Sequence, residues 1–90
     1  MVANAALAGK VAVVTGSGQG IGRAIAQLFA RQGAALVVNA LHQASVDNVV
    51  AAILADGGKA TGCAGDVRSA ADAQRIVDTA ASEFGRLDIL

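Results

Sequence analysis

Val11-Ala12-Val13-Val14-Thr15-Gly16-Ser17-Gly18-Gln19-Gly20-Ile21-Gly22 decides the architecture of this chain. An apolar, mostly branched run that stops at a glycine-rich stretch reads as a strand buried on both faces entering a loop. A helical pattern follows: Ile21, Ile25, Leu28, Phe29 and Gln32 recur at spacings of three and four, Arg23 and Arg31 point elsewhere, and Gly33 ends the segment. Strand, glycine loop and helix thus form one unit, and the rest of the chain repeats the alternation. Leu36-Val37-Val38 is a second buried run. Val46, Val49, Val50, Ile53 and Leu54 mark a second helix closed by Gly57-Gly58, and Ala60 to Ala64 is a third strand read mainly from its position. Ser69 is placed as the N-cap of a third helix with its stripe at Ala73, Ile76, Val77, Ala80 and Phe84; Leu87 to Leu90 begins a fourth strand, in which the sequence ends.

Buried strands alternating with helices imply an α/β domain with a parallel, Rossmann-like sheet. The expected strand order is 3-2-1-4, cut off after the start of the fourth strand, with the first two helices on one face and the third alone on the other. Residues 1–9 are read as a loose N-terminal tail and residues 10–90 as a partial dinucleotide-binding domain. With one face thinly covered, marginal stability is expected, together with self-association through the open sheet face or edge.

Composition narrows the class. The chain has 90 residues with 54% apolar side chains, too apolar for disorder and short enough for one domain at most. Seven basic residues balance seven acidic ones, so no surplus of cations suggests nucleic acid as a partner. Charges interrupt every apolar run before membrane-spanning length. The single cysteine, Cys63, excludes an internal disulfide and a cysteine-rich zinc module, and it reads as a small packing residue in the third strand. No metal site is expected, and a reducing, cytoplasmic setting fits.

Gly16, Gly18, Gly20 and Gly22 lie where a strand hands over to a helix. Without side chains there, a phosphate can approach backbone N–H groups at the positive end of the helix dipole. The loop ends in Gly20-Ile21-Gly22-Arg23, so it lacks the Gly-Lys-Ser/Thr of a P-loop. It also fails the G-x-G-x-x-G register, because Ile21 stands where the third glycine belongs. The pattern that fits is T-G-x-x-x-G-x-G, from Thr15 to Gly22.

On that pattern the chain resembles the short-chain dehydrogenase/reductase family. Asp66-Val67, after the third strand, resembles the family's Asp-Val pair, and Phe84-Gly85-Arg86-Leu87-Asp88-Ile89-Leu90 resembles the stretch that leads into its Asn-Asn-Ala-Gly turn. Within the family the look is closest to 3-oxoacyl-carrier-protein reductases and related alcohol dehydrogenases. The resemblance implies a nicotinamide dinucleotide held by Gly16, Ser17, Gly18, Gln19, Gly20, Ile21 and Gly22, with Asp66 meeting the adenine amino group and Val67 lining the ring. It also implies hydride transfer to or from a carbonyl or alcohol. The family's catalytic Ser, Tyr and Lys have no matching positions here, and the 90 residues contain no tyrosine. No catalytic residue is therefore assigned, and the 90 residues alone are expected to be inactive. The alternative is a non-catalytic nucleotide-binding module or a decayed half-domain.

About 20 residues past the loop, where an acidic residue would take the ribose 2′-hydroxyl of NAD, the sequence reads Asn39-Ala40-Leu41-His42. No carboxylate stands there to repel a 2′-phosphate, His42 can donate to one, and Asn39 can hydrogen-bond the ribose. Asn39, Ala40 and His42 therefore join the candidate site, and NADP is expected over NAD. His42 also reads simply as a solvated loop residue, Asp66 as a cap for the third helix, Asp88 as a structural carboxylate, and Arg68, Arg75 and Arg86 as solvated surface charge.

Overall fold

A computed structural model of the chain describes residues 6–90. In order come β1 (Val11–Val14), α1 (Gly20–Arg31), β2 (Ala35–Val38), α2 (Gln43–Ala55), β3 (Lys59–Gly62) and α3 (Ala70–Phe84). The three strands are parallel with β2 in the middle, in registers running from Val11↔Ala35 to Val14↔Val38 and from Ala35↔Lys59 to Val38↔Gly62. Ile89 bridges Ala12 in parallel outside the named strands. Neighbours therefore run β3, β2, β1 and then Ile89, as the expected order 3-2-1-4 requires, although the fourth member is a single bridge and not a strand.

Both sheet faces are packed. On one, Ala12, Leu36 and Val38 meet Ala26 of α1 and Val46, Val49 and Ile53 of α2. On the other, Val11, Val13, Ala35, Val37 and Cys63 meet Ile76 and Ala80 of α3, with Phe84 and Leu87 at the rim. This corrects the expectation of an open face, since Val13 and Val37 are 1% and 0% exposed beneath α3. The reason is dimensional: strands of four residues in a three-strand sheet make a patch roughly 13 Å on a side, and a helix of 15 residues spans about 22 Å.

A second correction concerns α1. Its spaced apolar residues Ile21, Ile25 and Leu28 face outward, at 81%, 38% and 52% exposure, while Ala26 is buried and Phe29 and Ala30 pack at the core's edge. Small residues face the sheet because α1 starts directly on the glycine loop and lies too close to β1 for larger ones. Of the expected tail, residues 6–9 form a turn, with the Leu7 N–H donating to the Gln32 carbonyl at 2.8 Å and the Leu7 side chain packed on the core. Residues 1–5 of that expectation lie outside the described residues.

Candidate functional site

The glycine loop leaves β1 after Val14 and delivers the chain to α1. Gly16 and Gly20 adopt φ of +64° and +60°, values that a side chain with a Cβ rarely tolerates. Gly18 and Gly22 are glycine for space. A Cβ at Gly18 would come within 2.8 Å of the Ala40 Cβ and 2.9 Å of the Ser45 Cβ, and a Cβ at Gly22 would collide with the Gly16 carbonyl oxygen. Two glycines turn the loop and two let it lie against its neighbours.

The loop faces the segment between β2 and α2 across a hollow lined by Gly16, Gly18, Gln19, Ala40, Leu41, His42 and Ser45. Two helix N-termini open toward it. The N-cap of α1 is Gln19, extended and without a side-chain cap hydrogen bond; the N-cap of α2 is His42, extended and likewise uncapped, and neither first turn carries an acid. By contrast, α3 is capped by Ser69, whose Oγ accepts the Asp72 N–H at 3.3 Å, and has Asp72 in its first turn. The two helices at the crevice thus keep their positive ends free for an anion. Among the described residues no carboxylate and no Lys or Arg lines the hollow. A second hollow, bounded by the exposed Arg31–Asp56 pair at 3.2 Å, lies at the helices' C-terminal ends, where the backbone offers no donors.

Sequence-predicted residues separate into two groups here. Gly16, Gly18, Gln19, Ala40 and His42 line the hollow, with Gly20, Ile21 and Gly22 continuing from it into α1. Ser17 and Asn39 are buried at 0% and 2% exposure. The Ser17 Oγ donates to the Val14 carbonyl at 2.7 Å and accepts the Asn39 N–H at 3.1 Å. The Asn39 amide donates to the Cys63 and Gly65 carbonyls at 2.9 and 3.2 Å, so its amide hydrogens are committed inside the fold and not offered to a ribose. Leu41 and Ser45 line the hollow without having been singled out from the sequence. Leu41 carried a usable signal, as an apolar residue beside His42 in a loop; Ser45, in the first turn of α2, carried none.

Asp66 and Val67 follow Gly65, whose N–H donates to the Ala40 carbonyl at 2.9 Å and so brings this segment alongside the β2 exit. Val67 is exposed. The Asp66 carboxylate does not cap α3, a role that Ser69 fills. It accepts from Arg68 instead, at 2.7 Å from Nη2 and 2.9 Å from the backbone N–H. The Arg68 guanidinium holds the Asp66 carboxyl down to about 2. Arg75 pairs with Asp72 and Arg86 with Asp88, so these solvated arginines also have partners. Asp88 is structural, accepting the Val11 N–H at 2.9 Å.

A parallel α/β sheet with its glycine loop and two free helix N-termini at the carboxyl ends of the strands places the open site where proteins of this architecture hold ligands. The short chain dehydrogenase family model matches residues 10–90, and the chain belongs to that family. It is 54% identical over 85 residues to an uncharacterized oxidoreductase of Methylorubrum extorquens, a match covering 93% of this chain and 34% of that protein. To the 7α-hydroxysteroid dehydrogenase of Escherichia coli it is 40% identical over 87 residues, covering 97% and 34%. A crystal structure of hydroxysteroid dehydrogenase from Escherichia coli superposes with a TM-score of 0.93 at 40% identity, over 97% of this chain and 37% of that one. A 7α-hydroxysteroid dehydrogenase complexed with NADH and 7-oxo glycochenodeoxycholic acid superposes at 0.91 with 38% identity, over 96% and 34%. The chain spans about a third of the length of the curated relatives it matches.

Proposed function

We propose that residues 10–90 bind the ADP-ribose half of a nicotinamide dinucleotide, and that the protein they belong to is an oxidoreductase acting on a carbonyl or alcohol. The observation that carries this reading is the uncapped N-terminus of α1 behind a loop whose glycines leave no side chain in the way. Backbone N–H groups of the glycine loop and the first turn of α1 would take the diphosphate, Val67 would cover one face of the adenine, and Asp66 would accept from its amino group. When bound, the dinucleotide supplies the hydride donor or acceptor. The residues described here bind and orient; none carries the proton-transfer step, and the 90 residues include no tyrosine to do so. The superposition on a dehydrogenase complexed with NADH supports the dinucleotide reading.

Within that reading NADP is favoured over NAD. The hollow has no carboxylate to repel a 2′-phosphate, and the free N-terminus of α2 stands beside His42 to receive one. Calorimetric titration with ADP-ribose and 2′-phospho-ADP-ribose tests both levels. Binding of neither ligand by folded protein overturns the nucleotide assignment; tighter binding of ADP-ribose overturns the NADP preference alone.

A further inference from the structure

We propose that Asn39 is a positioning residue whose buried amide fixes the distance between the glycine loop and the segment leaving β3, and thereby sets affinity for a ligand that must touch both at once. The proposal rests on the nucleotide reading above and deepens it.

Asn39 follows the last residue of the central strand. Toward β1, its Oδ1 accepts the Gly16 N–H at 3.4 Å, its backbone N–H donates to the Ser17 Oγ at 3.1 Å, and its carbonyl accepts the Ser17 N–H at 2.7 Å. Toward β3, its Nδ2 donates to the Cys63 carbonyl at 2.9 Å and the Gly65 carbonyl at 3.2 Å. Among the described residues it is the one side chain that hydrogen-bonds to the exits of both neighbouring strands. The position calls for an acceptor on one side and two donors on the other, and of the ordinary side chains a short amide meets that need.

These bonds join loop to loop and lie beyond the sheet ladder, whose last pairs are Val14↔Val38 and Val38↔Gly62. Losing the three side-chain bonds leaves the strands paired and the backbone bonds of Asn39 to Ser17 and of Gly65 to Ala40 in place, but removes the link that ties the glycine loop directly to the Gly65-Asp66-Val67 segment, so their spacing loosens. A ligand with its diphosphate on one loop and its adenine on the other has a fixed span, so its affinity combines both contacts only while that spacing is held. Asn39→Asp keeps the acceptor for Gly16 and turns the donor side into a carboxylate facing two carbonyl oxygens. Asn39→Ser keeps one donor in a smaller side chain.

The test titrates three ligands against the chain and both variants: ADP-ribose, which spans the two loops, and adenosine and pyrophosphate, which each touch one. The expected result is a loss of about tenfold or more in ADP-ribose affinity for either folded variant, with adenosine and pyrophosphate within about twofold of their original values. Unchanged ADP-ribose affinity overturns the proposal, as does a parallel loss of all three ligands, which would mean general loosening. The unsubstituted chain gives a reading that does not depend on either variant folding. Its Asn39 side-chain amide protons should exchange with water more slowly with ADP-ribose bound than with adenosine or pyrophosphate, and equal exchange overturns the proposal. Failure of the unsubstituted, folded chain to bind any of the three ligands overturns the nucleotide reading instead.

Discussion

The carbonyl oxygen of Gly16 occupies the space in which a side chain on Gly22 would begin. Both partners are held by backbone, Gly16 by its positive φ and Gly22 within the first turn of α1, so neither can yield cheaply. Gly22→Ala is expected to destabilise the fold by about 3 kcal/mol and to abolish nucleotide binding. Gly18→Ala meets the Cβ atoms of Ala40 and Ser45, which move only with their backbones but stand farther off, at 2.8 and 2.9 Å, than the Gly16 carbonyl oxygen does from a Cβ on Gly22, and should cost less, about 1 to 2 kcal/mol. Urea unfolding of the two variants measures the difference, and equal costs would contradict the assignment of the Gly22 clash to backbone.

Leu41 is 63% exposed and lines the crevice, so replacing it changes charge at the site with little effect on packing. Leu41→Arg is expected to tighten binding of 2′-phospho-ADP-ribose by about tenfold at low salt, and Leu41→Asp to weaken it by a similar factor. Plain ADP-ribose should change much less. Titrations at two ionic strengths check this, because a charge effect at an exposed residue must shrink as salt is added. Equal effects on the two ligands would place the 2′-phosphate elsewhere.

Gln19→Asp should separate stability from binding. As the N-cap of α1, an aspartate there can accept an N–H of the first turn and meet the helix dipole, adding about 1 kcal/mol of stability. The same carboxylate would stand where the diphosphate is expected, so ADP-ribose affinity should fall by about tenfold. The control sits on α3: Ser69→Ala removes an existing cap, should lower stability by about 1 kcal/mol, and should leave affinity unchanged. Thermal melts paired with titrations read both quantities, and a Gln19→Asp variant that binds normally would count against α1 as the diphosphate site.

Acid sensitivity follows from three aspartates. Asp66 is held down to about 2 by Arg68; Asp72 lies below the usual carboxylate range chiefly because it accepts the Asp66 backbone N–H, and Asp88 chiefly because it accepts from Arg86. A carboxyl with a lowered folded-state pKa adds stability that is fully present above its unfolded value near 4 and disappears as pH falls toward the folded value. Tm should therefore be flat from pH 7 to about 5 and fall between about pH 4 and 2. The arginine partners are exposed, so 1 M salt should reduce the contribution of their pairings. A Tm insensitive to pH across that lower range would show that these pairings contribute nothing.

How legible each element was in the sequence depended on how it is buried. β1 and β2 announce themselves as Val11–Val14 and Leu36–Val38 because almost every side chain in them is enclosed by helices on both faces. β3 has the sequence Lys-Ala-Thr-Gly, half exposed at the sheet edge, and so it carries no apolar run; its register against Ala35–Val38 was not legible. Spacing found α1 but misjudged its inner face, because the close approach at Gly22 rewards small residues over the isoleucines. The glycine loop was readable as a motif. The burial of Ser17 and Asn39 was not, since a polar residue in a loop looks the same whether it meets a ligand or another loop, and their partnership links positions 22 residues apart.

The contacts that pin residues 88 and 89 to β1 have a consequence for the order of assembly. The Val11 N–H meets the Asp88 carboxylate across 77 positions, whereas β1 and β2 pair through residues as near as 11 and 35. Closing the longer loop costs about 1 kcal/mol more in chain entropy, so the β1-α1-β2 unit should form first and the segment after α3 should dock last. During synthesis the outer edge of β1 then stays unpaired until residue 89 has left the ribosome. Until then the nascent chain presents an apolar strand edge, which makes this edge the point at which a chaperone or a misfolded neighbour would engage it.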